Sequence, residues 1–321
     1  MKTIKLGFLG FGTVGKGAYD ILKMNCDKIK SNSDLTFEAV KILVRNIENP
    51  KLADIDKSVL TTDFKEVCES PDVDIVIEAL GGIEPAASYI KCALENGKHV
   101  VSANKAALAA NLDELLNLAK EKHVRLLFEA SVGGGIPVLT AIRNPLAANE
   151  FTKVEGILNG TTNYILTQML QEGNSYETAL KKAQELGFAE ADPTADVEGI
   201  DAANKLTILI KLMFGKYVKP TDIPTEGISN VTAAYIQNAA KNDSTVKLIA
   251  SAEIKDGKLE YSVKPVALPN SHPLSRISNE FNAVYITGNA VGEVMLSGKG
   301  AGALPTGSAV CGDIIAIAKH I

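Results

Sequence analysis

Two lysines and a run of carboxylates are where this 321-residue chain can do chemistry. Lys105 follows the apolar stretch HVVS in VVSANKAALA. Lys205 lies in EGIDAANKLTILIKL, where helical spacing puts Asp201 one turn earlier on the same face. An ammonium in so apolar a stretch loses hydration, which lowers its pKa toward the range useful for proton transfer, and a second cation such as Lys105 acts in the same direction. Asp201 reads equally as an ordinary helix ion pair and as the carboxylate that orients the lysine. Just upstream, LGFAEADPTADVEGID carries Glu190, Asp192, Asp196, Glu198 and Asp201. Carboxylates so close repel one another unless a cation joins them, and a lysine or a substrate ammonium would do so. An acid-rich helix N-terminus accounts for part of the run. Asn159-Gly160-Thr161-Thr162-Asn163 is a polar turn before a helix, either an N-cap alone or a carboxylate nest.

Other chemistries find little support. The four cysteines (Cys26, Cys68, Cys92, Cys311) form no CxxC pair, and the four histidines (His99, His123, His272, His320) lie at no metal-ligand spacing. Neither a zinc centre nor a Cys–His nucleophile is expected. With 33 basic and 38 acidic residues the net charge is −5, which argues against nucleic-acid or anionic-membrane partners. No apolar run reaches bilayer length, no signal-peptide core precedes a cleavage site, and a cytoplasmic protein is expected.

The elements that must position these residues fall into two halves. Through residue 130, strands at Ile4–Leu9, Phe37–Val44, Asp74–Ala79, His99–Ser102 and Arg125–Glu129 alternate with helices at 14–30, from Pro85 to Gly97, and at 113–122. This is the pattern of βαβ units in a doubly wound parallel sheet. Lys105 then falls on a loop at the edge where such a sheet presents its ligands. Ser131–Pro137 (SVGGGIP) breaks the periodicity and marks the domain crossing. Long helices follow at 163–186 and 198–214. Strands come next at 246–255 and 258–268, joined by the hairpin signal Asp256-Gly257, with a further pair within 283–297. The expectation is an α/β chain: a cofactor domain over 1–130, and an α+β substrate and dimerisation domain with a mixed sheet over 131–301. A C-terminal helix at 302–321 packs back on the first domain.

In IKLGFLGFGTVGKG, Gly10, Gly12 and Gly15 follow a strand and open a helix, the context that makes GxGxxG a dinucleotide fingerprint. Gly10 makes the tight turn, Gly12 admits the pyrophosphate and Gly15 permits close helix–strand packing. The second strand ends in VRN, with Arg45 where an NAD enzyme would place an acid. A guanidinium there suits a 2′-phosphate, and Lys57 adds a second charge, so NADP is favoured over NAD.

Six stretches in order identify what the chain resembles: GFLGFGTVGKG, VVSANKAALA, FEASVGGGIPVL, GILNGTTNYILTQM, LGFAEADPTADVEGIDAANKLTIL and GKGAGALPTGSAV. Together they resemble the homoserine dehydrogenase family over essentially the whole chain. The resemblance implies a Rossmann domain, and a second domain supplying the substrate site and homodimer contacts. The implied reaction interconverts L-homoserine and L-aspartate 4-semialdehyde with NAD(P) in threonine and methionine biosynthesis. It implies catalytic roles for Lys105 and Lys205, and substrate contacts from Glu190, Asp196, Asp201, Gly160 and Thr161. The implied cofactor contacts are Phe11, Thr13, Val14, Gly81, Ser102, Lys105 and Gly302, beside Gly10, Gly12, Gly15, Arg45 and Lys57 read above. A structural Na+ at Glu129, Val132, Gly134 and Ile136 rests on analogy alone.

Two departures stand out. Gly307 replaces a frequent alanine, which reads as a mild change. The stretch to Ile321 carries no counterpart of the regulatory extension of many members, so neither threonine feedback through such a segment nor a fused N-terminal kinase domain is expected. Two rival readings remain: a different NADP-dependent dehydrogenase of an amino-acid aldehyde, and a Rossmann redox sensor without turnover.

Overall fold

The computed structural model describes residues 2–321. The chain divides into two compact units, one running to Gly135 and including Gly302–Ile321, the other spanning Ile136–Ala301.

The first unit contains β1 (Lys2–Leu9), α1 (Thr13–Met24), α2 (Cys26–Ser33), β2 (Leu35–Leu43), β3 (Leu60–Thr61), α3 (Lys65–Cys68), β4 (Ile75–Glu78), α4 (Ala86–Glu95), β5 (His99–Ser102), α5 (Lys105–Glu121) and β6 (Leu126–Leu127). All six strands are parallel, in the order β3-β2-β1-β4-β5-β6, with the topological switch point between β1 and β4. The register sets Leu9 beside Glu78 and Glu78 beside Ser102, so three chains leave the sheet along one edge. Strand residues buried on both faces, as a covered parallel sheet requires, supply Ile4, Leu6, Phe8, Ile75, Ile77 and Val101 to the core. The C-terminal helix (Ala303–Ala318) completes that core with Val310, Ile314 and Ile317. It crosses α1 backbone to backbone: a Cβ on Gly307 would lie 2.7 Å from the carbonyl carbon of Gly17. The departure from alanine at position 307 is therefore a steric requirement of this packing, not a mild change.

Several boundaries differ from the sequence expectation. The helix expected at 14–30 breaks at Asn25 into α1 and α2. α5 begins eight residues before 113, at Lys105, because Asn104 caps an alanine-rich run that tolerates a kink at Asn111. Lys105 is thus a helix-start residue and not a loop residue. The strand expected at Arg125–Glu129 shrinks to Leu126–Leu127, since Glu129–Ser131 turn into a 3₁₀ segment.

The second unit contains α6 (Val138–Arg143), β7 (Phe151–Ile157), α7 (Gly160–Glu172), α8 (Tyr176–Glu185), α9 (Thr194–Val197), α10 (Ile200–Phe214), α11 (Ala233–Lys241), β8 (Ser244–Lys255), β9 (Lys258–Pro269), β10 (Phe281–Gly288) and β11 (Gly292–Lys299). Its five strands run β11-β10-β7-β8-β9, every named pair antiparallel. The sheet is antiparallel, not mixed, because two hairpins flank β7, a central strand absent from the sequence-derived elements. Asp256 and Gly257 both have positive φ, the backbone a two-residue turn of the I′ type needs. The single helix expected at 163–186 is two, separated by Gly173 in the left-handed region and restarted by the Ser175 cap. Helices α7, α10 and α11 pack against β8, and Ile157, Ile249, Leu268, Ala283 and Tyr285 of the sheet cluster with Leu274 of the 3₁₀ turn after β9.

Candidate active site

In the first unit the glycine loop leaves β1 at the switch point. Gly10 sits at φ +92°, and a Cβ on Gly15 would fall 2.4 Å from the Gly10 carbonyl oxygen, so both positions require glycine. A Cβ on Gly12 would meet nothing within 4 Å. That open space, at the N-terminus of α1, is where a pyrophosphate needs to approach free N–H groups. Two cavities of about 690 and 370 Å³ share Gly12, Ala79, Leu80 and Gly81 in their walls, a size suited to a cofactor. The larger adds Gly10, Phe11, Arg45 and Asn46; the smaller adds Thr13, Val14 and Lys105. The unit therefore fits a dinucleotide by shape and by backbone donors.

Three expected cofactor residues line neither cavity. Lys57 Nζ pairs with Glu48 at 2.6 Å, both side chains largely in solvent, and lines neither cavity. Ser102 is fully buried and donates to Glu78 instead. Gly302 starts the C-terminal helix at φ +120°.

In the second unit the lysine and some of the acids do converge. Lys205 is 7% exposed, and its Nζ donates to Asp201 Oδ2 and to the Leu158 carbonyl, both at 2.6 Å. Asn159 Nδ2 donates to the same Asp201 oxygen at 2.9 Å and to Asp196 Oδ1 at 2.7 Å. Its Oδ1 accepts the Thr162 N–H and so caps α7. The Thr161 hydroxyl lies 2.6 Å from the Phe188 carbonyl and 3.2 Å from Asp196 Oδ2. Gly160 starts α7 against the Glu280 carbonyl, where a Cβ would intrude to 2.7 Å. The remaining acids do not join this cluster. Asp192 holds Thr194, Glu198 takes the Ser229 hydroxyl, and Glu190 is exposed.

Two functional-looking residues carry a sequence signal that went unread. Glu78 ends the otherwise apolar strand IVIE, and Lys247 sits in the apolar run VKLIASA at an inward-facing strand position. Both are buried. Lys247 Nζ donates to Asn163 Oδ1 at 3.0 Å and to the Ile277 carbonyl, and burial pushes its pKa down to about 8. Burial raises the thiols of Cys68, Cys92 and Cys311, the opposite of what a thiolate nucleophile needs. Among the described residues no cluster of three or more His, Cys, Asp or Glu could hold a metal ion, and no helix is long and apolar enough to cross a membrane.

Comparison with known proteins agrees along the whole chain. The family model described as homoserine dehydrogenase matches residues 137–315, and that described as homoserine dehydrogenase, NAD binding domain, matches 10–129. The homoserine dehydrogenase of Bacillus subtilis is 47% identical over all of this chain and 74% of its own length. The crystal structure of a homoserine dehydrogenase from Thiobacillus denitrificans superposes with a TM-score of 0.95 at 40% identity, covering 99% of this chain and 74% of that one. A hyperthermophilic archaeal homoserine dehydrogenase in complex with NADPH gives 0.83 at 29% identity, covering 100% and 99%.

Proposed function

The chain belongs to the homoserine dehydrogenase family, and from that premise we propose how its residues divide the reaction. The activity is the nicotinamide-dependent interconversion of L-homoserine and L-aspartate 4-semialdehyde, which sets aside a sensor without turnover. The bound nicotinamide supplies or receives the hydride.

Lys205 moves the proton. The observation that carries this is its buried pairing with Asp201 at 2.6 Å. Asp201 fixes the ammonium's direction, so the aldehyde is reduced with Lys205 as general acid at the developing alkoxide. In the oxidation direction a neutral Lys205 accepts the hydroxyl proton as the carbon–hydrogen bond yields its hydride. Rising pH therefore favours oxidation. Lys105, on the wall of the cofactor cleft, is the second catalytic lysine of this reading. The α7 N-terminus at Gly160-Thr161 receives the substrate carboxylate, in keeping with the partial positive charge there. Glu190 takes the substrate ammonium, with Asp196 holding Thr161 in place.

NADP is the preferred cofactor. Arg45 and Asn46 line the cleft where β2 ends, and Glu48, the next acid, is turned to Lys57. A homodimer, a cytoplasmic setting and a place in threonine and methionine synthesis complete the proposal. A structural Na+ would rest on backbone carbonyls at Glu129, Val132, Gly134 and Ile136. A melting temperature raised by Na+ but not by K+ would support it, and indifference to both would sink it.

The test is homoserine-dependent reduction of NADP⁺ and NAD⁺ at mildly alkaline pH, with Lys205→Ala and Lys105→Ala beside the wild type. Turnover lost in a variant that still binds cofactor places that lysine in the chemistry. Full turnover in Lys205→Ala would remove it.

A further inference from the structure

Glu78 is the last residue of β4, has 0% exposure, and faces donors alone. Its Oε1 accepts the Leu80 N–H at 2.9 Å and Asn104 Nδ2 at 3.2 Å, and its Oε2 accepts the Ser102 hydroxyl at 2.6 Å. Two of the three partners are N–H groups with no lone pair to offer, so the carboxyl oxygens act here as acceptors; burial pushes the pKa of Glu78 above the ordinary carboxylate value, and the Ser102 hydroxyl, the Leu80 N–H and the Asn104 amide oppose that rise.

What these donors hold is the wall of the cofactor cleft. Leu80 and Gly81 belong to the loop leaving β4, and Gly81 and Gly82 both stand at positive φ. Asn104 uses every atom of its amide: Nδ2 reaches Glu78 and, at 2.8 Å, the Gly82 carbonyl, while Oδ1 accepts the Ala107 N–H and caps α5. The residue after that cap is Lys105. Ser102 passes the constraint along, since its Oγ accepts the Asn104 N–H at 3.1 Å. One buried carboxylate thus ties together the two loops that follow β4 and β5, and it fixes the rotamer of the cap from which Lys105 projects.

We propose that Glu78 is a positioning residue for the dehydrogenase reaction, setting Lys105 through Asn104. The inference rests on the reading of Lys105 as a catalytic residue. Glu78→Gln keeps the shape and can still accept from Leu80 and Asn104, but it removes the charge and reverses the bond to Ser102, which must then accept from the new NH₂ while it holds the Asn104 N–H, and this loosens the cap that sets Lys105. A displacement of roughly 1 Å at a reacting group costs about 100-fold.

The experiment is a double-mutant cycle on the full chain with Glu78→Gln, Lys105→Ala and both together. It compares kcat for homoserine oxidation at saturating NADP⁺, with NADPH affinity from fluorescence and melting temperature alongside. The expected result is a fall of about 100-fold in Glu78→Gln and no further fall when it is added to Lys105→Ala, because both changes remove the same contribution. An equal loss in both backgrounds would show a structural role only and overturn the proposal, as would an undiminished kcat in Glu78→Gln. Wild-type activity in Lys105→Ala would overturn the reading of Lys105 and with it this route, an outcome visible in the single variant. Should Glu78→Gln fail to fold, Asn104→Ser keeps a capping oxygen but loses the reach to Glu78 and Gly82. It is expected to show the same loss, and the same absence of loss on the Lys105→Ala background.

Discussion

The two units handle charge in opposite ways. In the first, the residues lining the cofactor cleft are mostly backbone or exposed: glycines at enforced conformations, a helix N-terminus, and Arg45 and Lys105 reaching in from the rim. Its most deeply buried acid among the described residues, Glu78, is held by neutral donors. In the second, the cluster is made of buried side chains, with Lys205 locked on Asp201 and Asn159 bridging to Asp196. A dinucleotide is long and presents phosphates that a repeating backbone can hold. A small amino acid undergoing proton transfer needs a few groups placed to within a fraction of an ångström. Side-chain deletions should therefore be most damaging in the second unit, and added backbone bulk in the first.

The sharpest test of that contrast is Lys205→Ala. With Lys205 in its proposed role as proton carrier, the variant is expected to lose at least about 100-fold in kcat. It also leaves Asp201 buried beside a hole, at a cost of about 3–5 kcal/mol in stability. A companion Lys205→Ala/Asp201→Asn variant, read by urea melts, should recover much of the stability and none of the rate. Recovery of neither would mean that the pair is not what holds this part of α10.

Lys247 extends the contrast, being a buried cation held by an amide and a carbonyl. Burial lowers its folded pKa to about 8, against an ordinary 10.5 in the unfolded chain. Between those values the unfolded state binds more protons, so stability rises with pH by up to about 1.4 kcal/mol per unit. Below about pH 8 the contribution is flat. Urea melts of wild type and Lys247→Met should therefore diverge in slope from pH 8 to 10, with the wild type gaining relative to the variant. Parallel curves would show that Lys247 keeps its ordinary pKa.

In the first unit the corresponding probe adds bulk. Gly307→Ala puts a methyl 2.7 Å from the Gly17 carbonyl carbon and 2.8 Å from the Ala18 nitrogen, neither of which moves without its helix. A loss of about 1–3 kcal/mol is expected, read as a lower melting temperature with KM for homoserine unchanged. Unchanged stability would mean that the C-terminal helix shifts freely on α1.

This also shows which features the sequence makes legible. Local patterns carried the glycine loop, the strand HVVS and the Asp256-Gly257 hairpin, because turn chemistry and burial on both faces leave marks within a few residues. Gly307 carried no such mark, since its requirement comes from Gly17, far away in sequence. The same holds for the acids: five lie together in the chain, but only Asp196 and Asp201 reach Asn159, because α9 and the turn into α10 point the others elsewhere. β7 leaves no clear mark in the sequence because glycine and lysine interrupt its apolar alternation, and its place at the centre of the sheet is fixed by β8 and β10. Lys105 was found by motif, but the cap that aims it depends on Glu78, a residue 26 positions before Asn104.

The smallest expected effect belongs to Arg45, for the reason that separates the units. Arg45 is exposed at the rim of a cleft lined largely by glycines and apolar residues, so solvent screens much of what its charge contributes. A charge-assisted contact to a 2′-phosphate in such a place amounts to about 1.5 kcal/mol, or roughly tenfold. Arg45→Ala should lower kcat/KM for NADP⁺ by that factor and leave kcat/KM for NAD⁺ within about twofold, since NAD⁺ has no 2′-phosphate to lose. Raising the ionic strength should shrink the wild-type preference toward that of the variant. Equal losses with both cofactors would place Arg45 on the part they share, and the NADP preference would then have to come from Asn46 and the backbone after β2.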